Sequence, residues 1–516
     1  MSITQNKFSS KSDLHNVVRL LLMALIVLTC VACQHFESSD PSELSGPGSD
    51  DERPNVVFLL VDDLRWDEVG YEGYPVATPN TDRLSSDGIR FDKAYVVSSL
   101  CSPSRASFLT GTYPHTNGVA GNVIDLDFEK MPTIASLLQD EGYETAMIGK
   151  WHMGGSAKPR PGFDYWYALP GQGRYVNPEF KQNDKEKRFT VEGYNTDIIT
   201  DRALEFMDDN AHQPFYLHLS YKSVHQPFTP APRHADTLDD TAFKIKSPNA
   251  RKTRMTLRRK RAETLLSVDE SVGRVVAYLR EHDLLDNTVL VFTSDNGYLF
   301  GEHGFGDKRY FYEESIRIPW LVHYPRLTAS GTAIDQPILN VDFLPSMLEL
   351  VGADIPEHIQ GASFVPLMTA TDPAKVDWRD YWIYEYMIEQ QYMHVPTHLA
   401  VVGKDYKYVR FPEGQALLKR FSGEELLFNT KTDPFEMTNI ASEESSVEVL
   451  QKMRGQLQQF AQDTDFQFMP LDPVRVNKRI GELYEGEKMH TWFRKAMDKA
   501  YPEGYPGWEA PESEPL

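Results

Sequence analysis

Cys101-Ser102-Pro103-Ser104-Arg105 places a thiol two residues before a proline and four before an arginine, a spacing in which each residue type has a chemical use. Pro103 suits the first turn of a helix, where a missing N–H costs nothing, and Gly111 suits its end. Cys101 then stands just before a helix N-terminus, where unpaired N–H groups and a positive partial charge favour an oxyanion such as sulfate or phosphate. A single cysteine taken alone is more often a buried apolar residue, but the whole stretch through Gly111 reverses that weighting. Asp62, Asp63, Asp295 and Asn296 add an all-oxygen set suited to a hard cation such as calcium or magnesium rather than zinc. One Asp-Asp pair after a strand reads as a turn or a helix cap. Two such pairs at two strand ends, in one chain with the cysteine motif, read as a metal centre.

Short β-branched or aromatic runs must carry these residues. Asn55 to Val61 stops at Asp62-Asp63, and Thr288 to Thr293 stops just before Asp295-Asn296. Glu144 to Gly149 leads into Lys150-Trp151-His152, and Phe215 to Ser220 runs on towards His225. Alternation of such runs with helical stretches predicts an α/β fold, a mostly parallel sheet with helices on both faces. In an open α/β sheet ligands bind outside the carboxyl ends of the strands, so four separate segments are expected to deliver their polar residues to one crevice. Tyr381 to Tyr384, Leu399 to Val402 and Lys407 to Arg410 predict strands of a second, smaller and mainly antiparallel sheet.

The match from Cys101 continues through Ala106-Ser107-Phe108-Leu109-Thr110-Gly111, and C-x-P-x-R is what a formylglycine-generating enzyme reads. On these residues the chain resembles the type I sulfatases of the alkaline phosphatase superfamily, from about Arg53 to the Asp433 region. Gly149-Lys150-Trp151-His152-Met153-Gly154 resembles their G-K-W-H-x-G element. Asp295-Asn296-Gly297, then Gly301-Glu302-His303-Gly304 and Asp307-Lys308-Arg309, resembles the second metal half followed by the sulfate-binding lysine. Val224-His225-Gln226-Pro227-Phe228 resembles the element whose histidine lies near the leaving-group oxygen. The resemblance implies that a maturase oxidises Cys101 to formylglycine (3-oxoalanine), whose hydrate attacks sulfur, and that Asp62, Asp63, Cys101, Asp295 and Asn296 bind Ca2+. It also implies that Arg105 and Lys150 steady the hydrated aldehyde, that His152 takes the proton lost on its collapse, and that His225 with Lys308 protonates the leaving oxygen. Arg105, Lys150 and Lys308 would supply preorganised positive charge, whose single members can be worth ~10²–10³ in rate.

For substrate, Pro161 to Trp166, Gly171 to Tyr175, Gly193 to Asp197 and Pro227 to Pro232 resemble the N-acetylglucosamine-6-sulfatase branch, which shades into sulfatases of algal polysaccharides. A sulfated oligo- or polysaccharide is therefore expected, with Arg174 and Arg309 as contacts to its sulfates. The basic run Arg251 to Arg261 reads first as a solvated helix face, and second as a collector of polyanions. A formal charge of −22 repels nucleic acid and makes a local basic pocket necessary for any polyanion.

Lys7, Lys11 and Arg19 precede an apolar run from Leu20 to Leu28, too short for a span of about 20 residues, and this reads as a secretory signal. Thr29-Cys30-Val31-Ala32-Cys33 resembles a lipobox, which would anchor an exported protein through Cys33 in the periplasm or at the cell surface; simple cleavage and secretion is the alternative. The expected organisation is a signal over 1–33, a Ser-, Asp- and Pro-rich linker over 34–53, a catalytic domain over 54–375, a C-terminal subdomain over 376–465 and a tail over 466–516. Two other functions stay open: a phosphonate monoester or phosphodiester hydrolase with the same formylglycine, and a glycan-binding lipoprotein with a dead site.

Overall fold

The computed structural model describes residues 53–468 apart from 155–156, 184, 240–242, 244–254, 328–329, 390–391, 393–394 and 413–423. The expected signal with Cys33, most of the linker, the tail beyond 468 and the start of the basic run lie outside the described residues.

The strand Asn55–Val61 is buried at every position. Its residues alternate between two cores, with Val56, Phe58 and Leu60 in one and Val57, Leu59 and Val61 in the other. A strand covered on both faces needs apolar side chains at both phases of its two-residue period, so it reads as an unbroken apolar run. It lies near the middle of a ten-stranded sheet. Thr288–Ser294, Asn55–Val61, Phe215–Ser220, Glu144–Lys150 and Tyr165–Leu169 follow one another in that order, all parallel. Trp320–His323 and Glu179–Gln182 flank them antiparallel. Four strands therefore end on one edge, at Val61, Lys150, Ser220 and Ser294, as expected.

Helices cover both faces. Cys101–Thr110, Ile134–Asp140 and Phe343–Val351 contribute Phe108, Leu138, Phe343 and Met347 to one core. Asn195–Asp209 and the long helix Met255–Glu281 contribute Ile199, Phe206, Val268 and Val272 to the other. None of the helices among the described residues is long and apolar enough to cross a membrane.

Tyr381–Tyr386, His398–Gly403, Tyr406–Arg410 and Glu425–Asn429 form a four-stranded antiparallel sheet; the first three match the expected strands to within two residues at each end, and the fourth is added by the structure. Its core includes Trp382, Tyr384 and Leu399 together with Tyr95, Val97 and Leu100, the segment that leads into Cys101. Lys407 is fully buried there, its ammonium 3.1 Å from Glu313 Oε1 and 2.5 Å from Glu436 Oε1. Removing the cation would leave the buried Glu436 carboxylate without its counter-charge, a loss that typically costs about 3–5 kcal/mol, while half-buried Glu313 keeps Arg317 nearby. Lys407→Met is expected to lower the urea midpoint accordingly. Burial already pushes the Glu436 carboxyl up to about 7. A carboxyl with a raised folded pKa gains stability as pH falls towards its unfolded value, so the deficit should shrink from pH 8 to pH 5.

Candidate active site

The cysteine helix runs Cys101–Thr110 and ends at Gly111 in the left-handed conformation. Cys101 is thus the first helical residue rather than the one before it. Leu100 gives no side-chain cap; instead Asn122 Oδ1 accepts the Ser102 N–H at 3.0 Å. The thiol is fully buried, 3.0 Å from Lys308 Nζ, 3.9 Å from Lys150 Nζ and 3.7 Å from Asp62 Oδ1. Burial pushes the thiol up to about 12 against the pull of Lys150 and Lys308, so as a thiol it is a poor nucleophile at neutral pH.

Asp62 and Asp63 follow the first strand and are completely buried. Lys150 donates to Asp62 Oδ2 and Lys308 to Asp63 Oδ1. Burial would raise both carboxyls, but the surrounding cations, chiefly Lys150 for Asp62 and Lys308 for Asp63, outweigh it and hold them ionised. Asp63 adopts φ 65°, and its N–H donates to Asp295 Oδ1 at 2.9 Å, binding the two strand ends together. Arg105 closes the ring. Its Nε lies 2.9 Å from Asp295 Oδ2, and its Nη1 donates to Lys150 O at 2.7 Å and to Ser220 Oγ at 2.6 Å. Gly149 makes that junction close: at φ 106° a Cβ there would lie 2.0 Å from Ser220 O.

The fit to a hard cation can be tested on the oxygens. Asp63 Oδ2 and Asn296 Oδ1 are buried and accept no hydrogen bond from the protein. Ligand atoms of Asp62, Asp63, Cys101 and His225 all lie within 4.8 Å of one another. Asp295 uses both oxygens for Asp63 N–H and Arg105, yet each carboxylate oxygen keeps a second lone pair. The donor set fits an oxygen-preferring divalent cation.

His225 donates from Nδ1 to Gln226 O at 2.9 Å, which turns Nε2 towards Asp63 Oδ2 at 3.9 Å. Burial brings its pKa down to about 4. His152, at φ 58°, accepts through its backbone carbonyl from Ser102 Oγ, and its buried Nδ1 has no partner. The structure thus gathers Asp62, Asp63, Cys101, Arg105, Lys150, Asp295, Asn296 and Lys308 into one cluster, with His152 and His225 within electrostatic reach of Asp62 and Lys150.

Three arginine expectations need correction. Arg309 is buried, with its guanidinium held 2.7 Å from Glu389 Oε2 and paired with Asp307, so it is not free for a substrate sulfate. Arg258 and Arg261 are also buried, neither a solvated face nor a collector of polyanions. Arg258 lies 2.8 Å from Glu302, while Arg261 pairs with Glu68 and donates to the carbonyls of Asp63 and Val224. Lys222 was missed. It is buried, donates to Gln226 O at 3.0 Å and lies 4.9 Å from the Tyr175 ring centre. Burial, reinforced by Lys150, brings its pKa down to about 8. The available signal was its place just past Ser220, on the edge that carries the other site residues.

A buried residue at a helix start, ringed by fixed cations and carboxylates on the carboxyl edge of a parallel sheet, is an arrangement that can hold an oxyanion. The family model described as sulfatase matches residues 54–353, and that of the N-sulphoglucosamine sulphohydrolase C-terminal region matches 301–463. An N-acetylglucosamine-6-O-sulfatase of Bacteroides thetaiotaomicron is 30% identical over 91% of this chain and 94% of its own. An ulvan-active sulfatase of Formosa agariphila is 29% identical over 89% and 87%. A solved protein in complex with its substrate D-glucosamine-2-N,6-O-disulfate is 30% identical, covers 80% of this chain and 98% of its own, and superposes with a TM-score of 0.71. The chain belongs to the sulfatase family, and it is an enzyme that hydrolyses sulfuric esters.

Proposed function

We propose that this sulfatase removes 6-O-sulfate from glucosamine-type units of a sulfated glycan, with Cys101 converted to formylglycine and Ca2+ held by Asp62, Asp63, Asp295, Asn296 and residue 101. The observation that carries the reading is the position of residue 101, 3.0 Å from Lys308 and 3.7 Å from Asp62, between a cation cluster and an oxygen-lined cradle. Formylglycine supplies an oxygen nucleophile that can shed sulfate and re-form its carbonyl, and the divalent cation offsets charge on the sulfate oxygens. Lys308 and Lys150 hold positive charge where a sulfate would meet residue 101. Asp295, Lys150 O and Ser220 engage Arg105 through Nε and Nη1, while its buried Nη2, 3.9 Å from Asp62 Oδ1, has no hydrogen-bond partner and can meet the group at residue 101. With Nδ1–H donating to Gln226 O, neutral His225 presents Nε2 as a proton acceptor, so it can protonate a leaving oxygen only after first taking up a proton there, and the Lys308 ammonium is the donor already charged beside residue 101. Arg174 is exposed beside Tyr175, whose hydroxyl donates to His225 O, and remains the candidate contact for a further sulfate or sugar.

The two relatives named for N-acetylglucosamine-6-sulfate and glucosamine disulfate chemistry support the substrate class. The charged and apolar N-terminal pattern supports export, with Cys33 as an anchor. Maturase-treated protein is expected to release sulfate from N-acetylglucosamine-6-sulfate faster than from N-acetylgalactosamine-4-sulfate, and not to turn over an aryl phosphonate monoester at a comparable rate. Preferred turnover of the phosphonate would favour the alternative hydrolase, and no turnover of any ester would favour a binding protein.

A further inference from the structure

We propose that Glu389, in the C-terminal region rather than the sheet that carries the catalytic cluster, is a positioning residue for Lys308, and through a second arm for the cysteine helix. The inference rests on the proposed roles of Lys308 and Cys101. Glu389 is buried, 8% exposed. Its Oε2 accepts from Arg309 Nε at 2.7 Å and from the Tyr386 hydroxyl at 3.2 Å. Arg309 directly follows Lys308, and its backbone has φ 90°, a conformation that a side-chain-bearing residue keeps only when its surroundings impose it. Those surroundings are specific. The Arg309 N–H donates to Ser99 O at 3.0 Å, its carbonyl accepts from Tyr384 at 2.9 Å, and its guanidinium stacks 3.5 Å from the Tyr392 ring centre. Glu389 thus clamps the turn that aims the Lys308 ammonium at Cys101 Sγ.

The other oxygen reaches the opposite partner. Glu389 Oε1 accepts from Asn122 N–H at 3.2 Å, and Asn122 Oδ1 in turn accepts from Ser102 N–H at 3.0 Å, the first amide after Cys101. One carboxylate therefore braces both sides of the 3.0 Å approach between Lys308 and Cys101. Displacement of such a pair by even about 1 Å can cost on the order of 10²-fold in rate.

The test uses the full matured enzyme and a double-mutant cycle between Glu389→Gln and Lys308→Ala, read as kcat per formylglycine-bearing molecule, with KM measured alongside. Glu389→Gln should lower kcat about 10–100-fold, the usual range for a group that orients a catalytic residue, while KM changes little. In the Lys308→Ala background the same substitution should lower kcat less, by only what the arm through Asn122 to the cysteine helix contributes, because the Lys308 group it aims is already gone. Arg309→Lys, which keeps the cation but loses the fork, should reproduce the kcat loss and serves if the Glu389 variant does not fold. Wild-type kcat in Glu389→Gln, or an equal fold-loss in both backgrounds, would overturn the inference. Failure of the functional reading would look different, since the wild-type enzyme itself would then not hydrolyse the sulfate ester.

Discussion

Cys101→Ala is expected to abolish sulfate release, with kcat falling on the order of 10⁴-fold or more, as when a covalent nucleophile is removed from an enzyme that depends on it. Little should change elsewhere. The thiol is buried beside polar groups rather than inside either apolar core, so its loss opens a polar space that water can fill. Thermal unfolding of the variant should therefore stay near that of the wild type, which separates loss of chemistry from loss of fold. The mass of the Cys101-bearing peptide gives the companion measurement: in active protein it should show sulfur and two hydrogens exchanged for one oxygen. An active enzyme with an unmodified thiol would sink the formylglycine assignment.

Chelation should have the second largest effect. Asp62, Asp63 and Asp295 bring three carboxylates into one buried cluster, and Asp63 Oδ2 and Asn296 Oδ1 lack donors. EGTA treatment followed by dialysis should remove turnover, and CaCl2 should restore it. A cation that binds only the folded chain stabilises it by about 2.7 kcal/mol at a hundred times its Kd, so added calcium should also raise the unfolding temperature. Asp63→Asn should blunt both responses by removing one charge at nearly constant volume. Full activity after exhaustive chelation would overturn the metal assignment.

Much of this architecture is legible in the residues. Val56 to Val61 is apolar without interruption, which only a strand covered on both faces requires, and the sheet places it centrally with Phe58 and Leu59 in opposite cores. The ends of such runs point to Asp62, Asp63, Lys150 and Asp295 because ligands of an open parallel sheet bind outside its carboxyl edge, and four runs end there in charged residues alongside the cysteine motif. Asp295-Asn296 lies far along the chain from Asp62-Asp63, but parallel neighbours in register carry their ends to one edge, and Val61 is opposite Ser294.

The arginines show where that reasoning stops. Arg309 follows Lys308 in a motif that resembles a sulfate site, and Arg258 and Arg261 lie in a basic run that looks solvated; all three are buried in ion pairs with glutamates. Their partners Glu302, Glu68 and Glu389 are 44, 193 and 80 residues away in the chain. A charge in a sequence has no fixed sign of usefulness, because whether it meets solvent, substrate or an opposite charge depends on which distant element folds against it. The amino-acid sequence by itself determined the strand ends, the cysteine helix and the chemical types gathered there, since these follow from local periodicity and residue chemistry. Only the tertiary structure decided which cations stand beside Cys101, paired with Asp62 and Asp63, and which are consumed by distant glutamates, because burial and pairing are properties of contacts between segments.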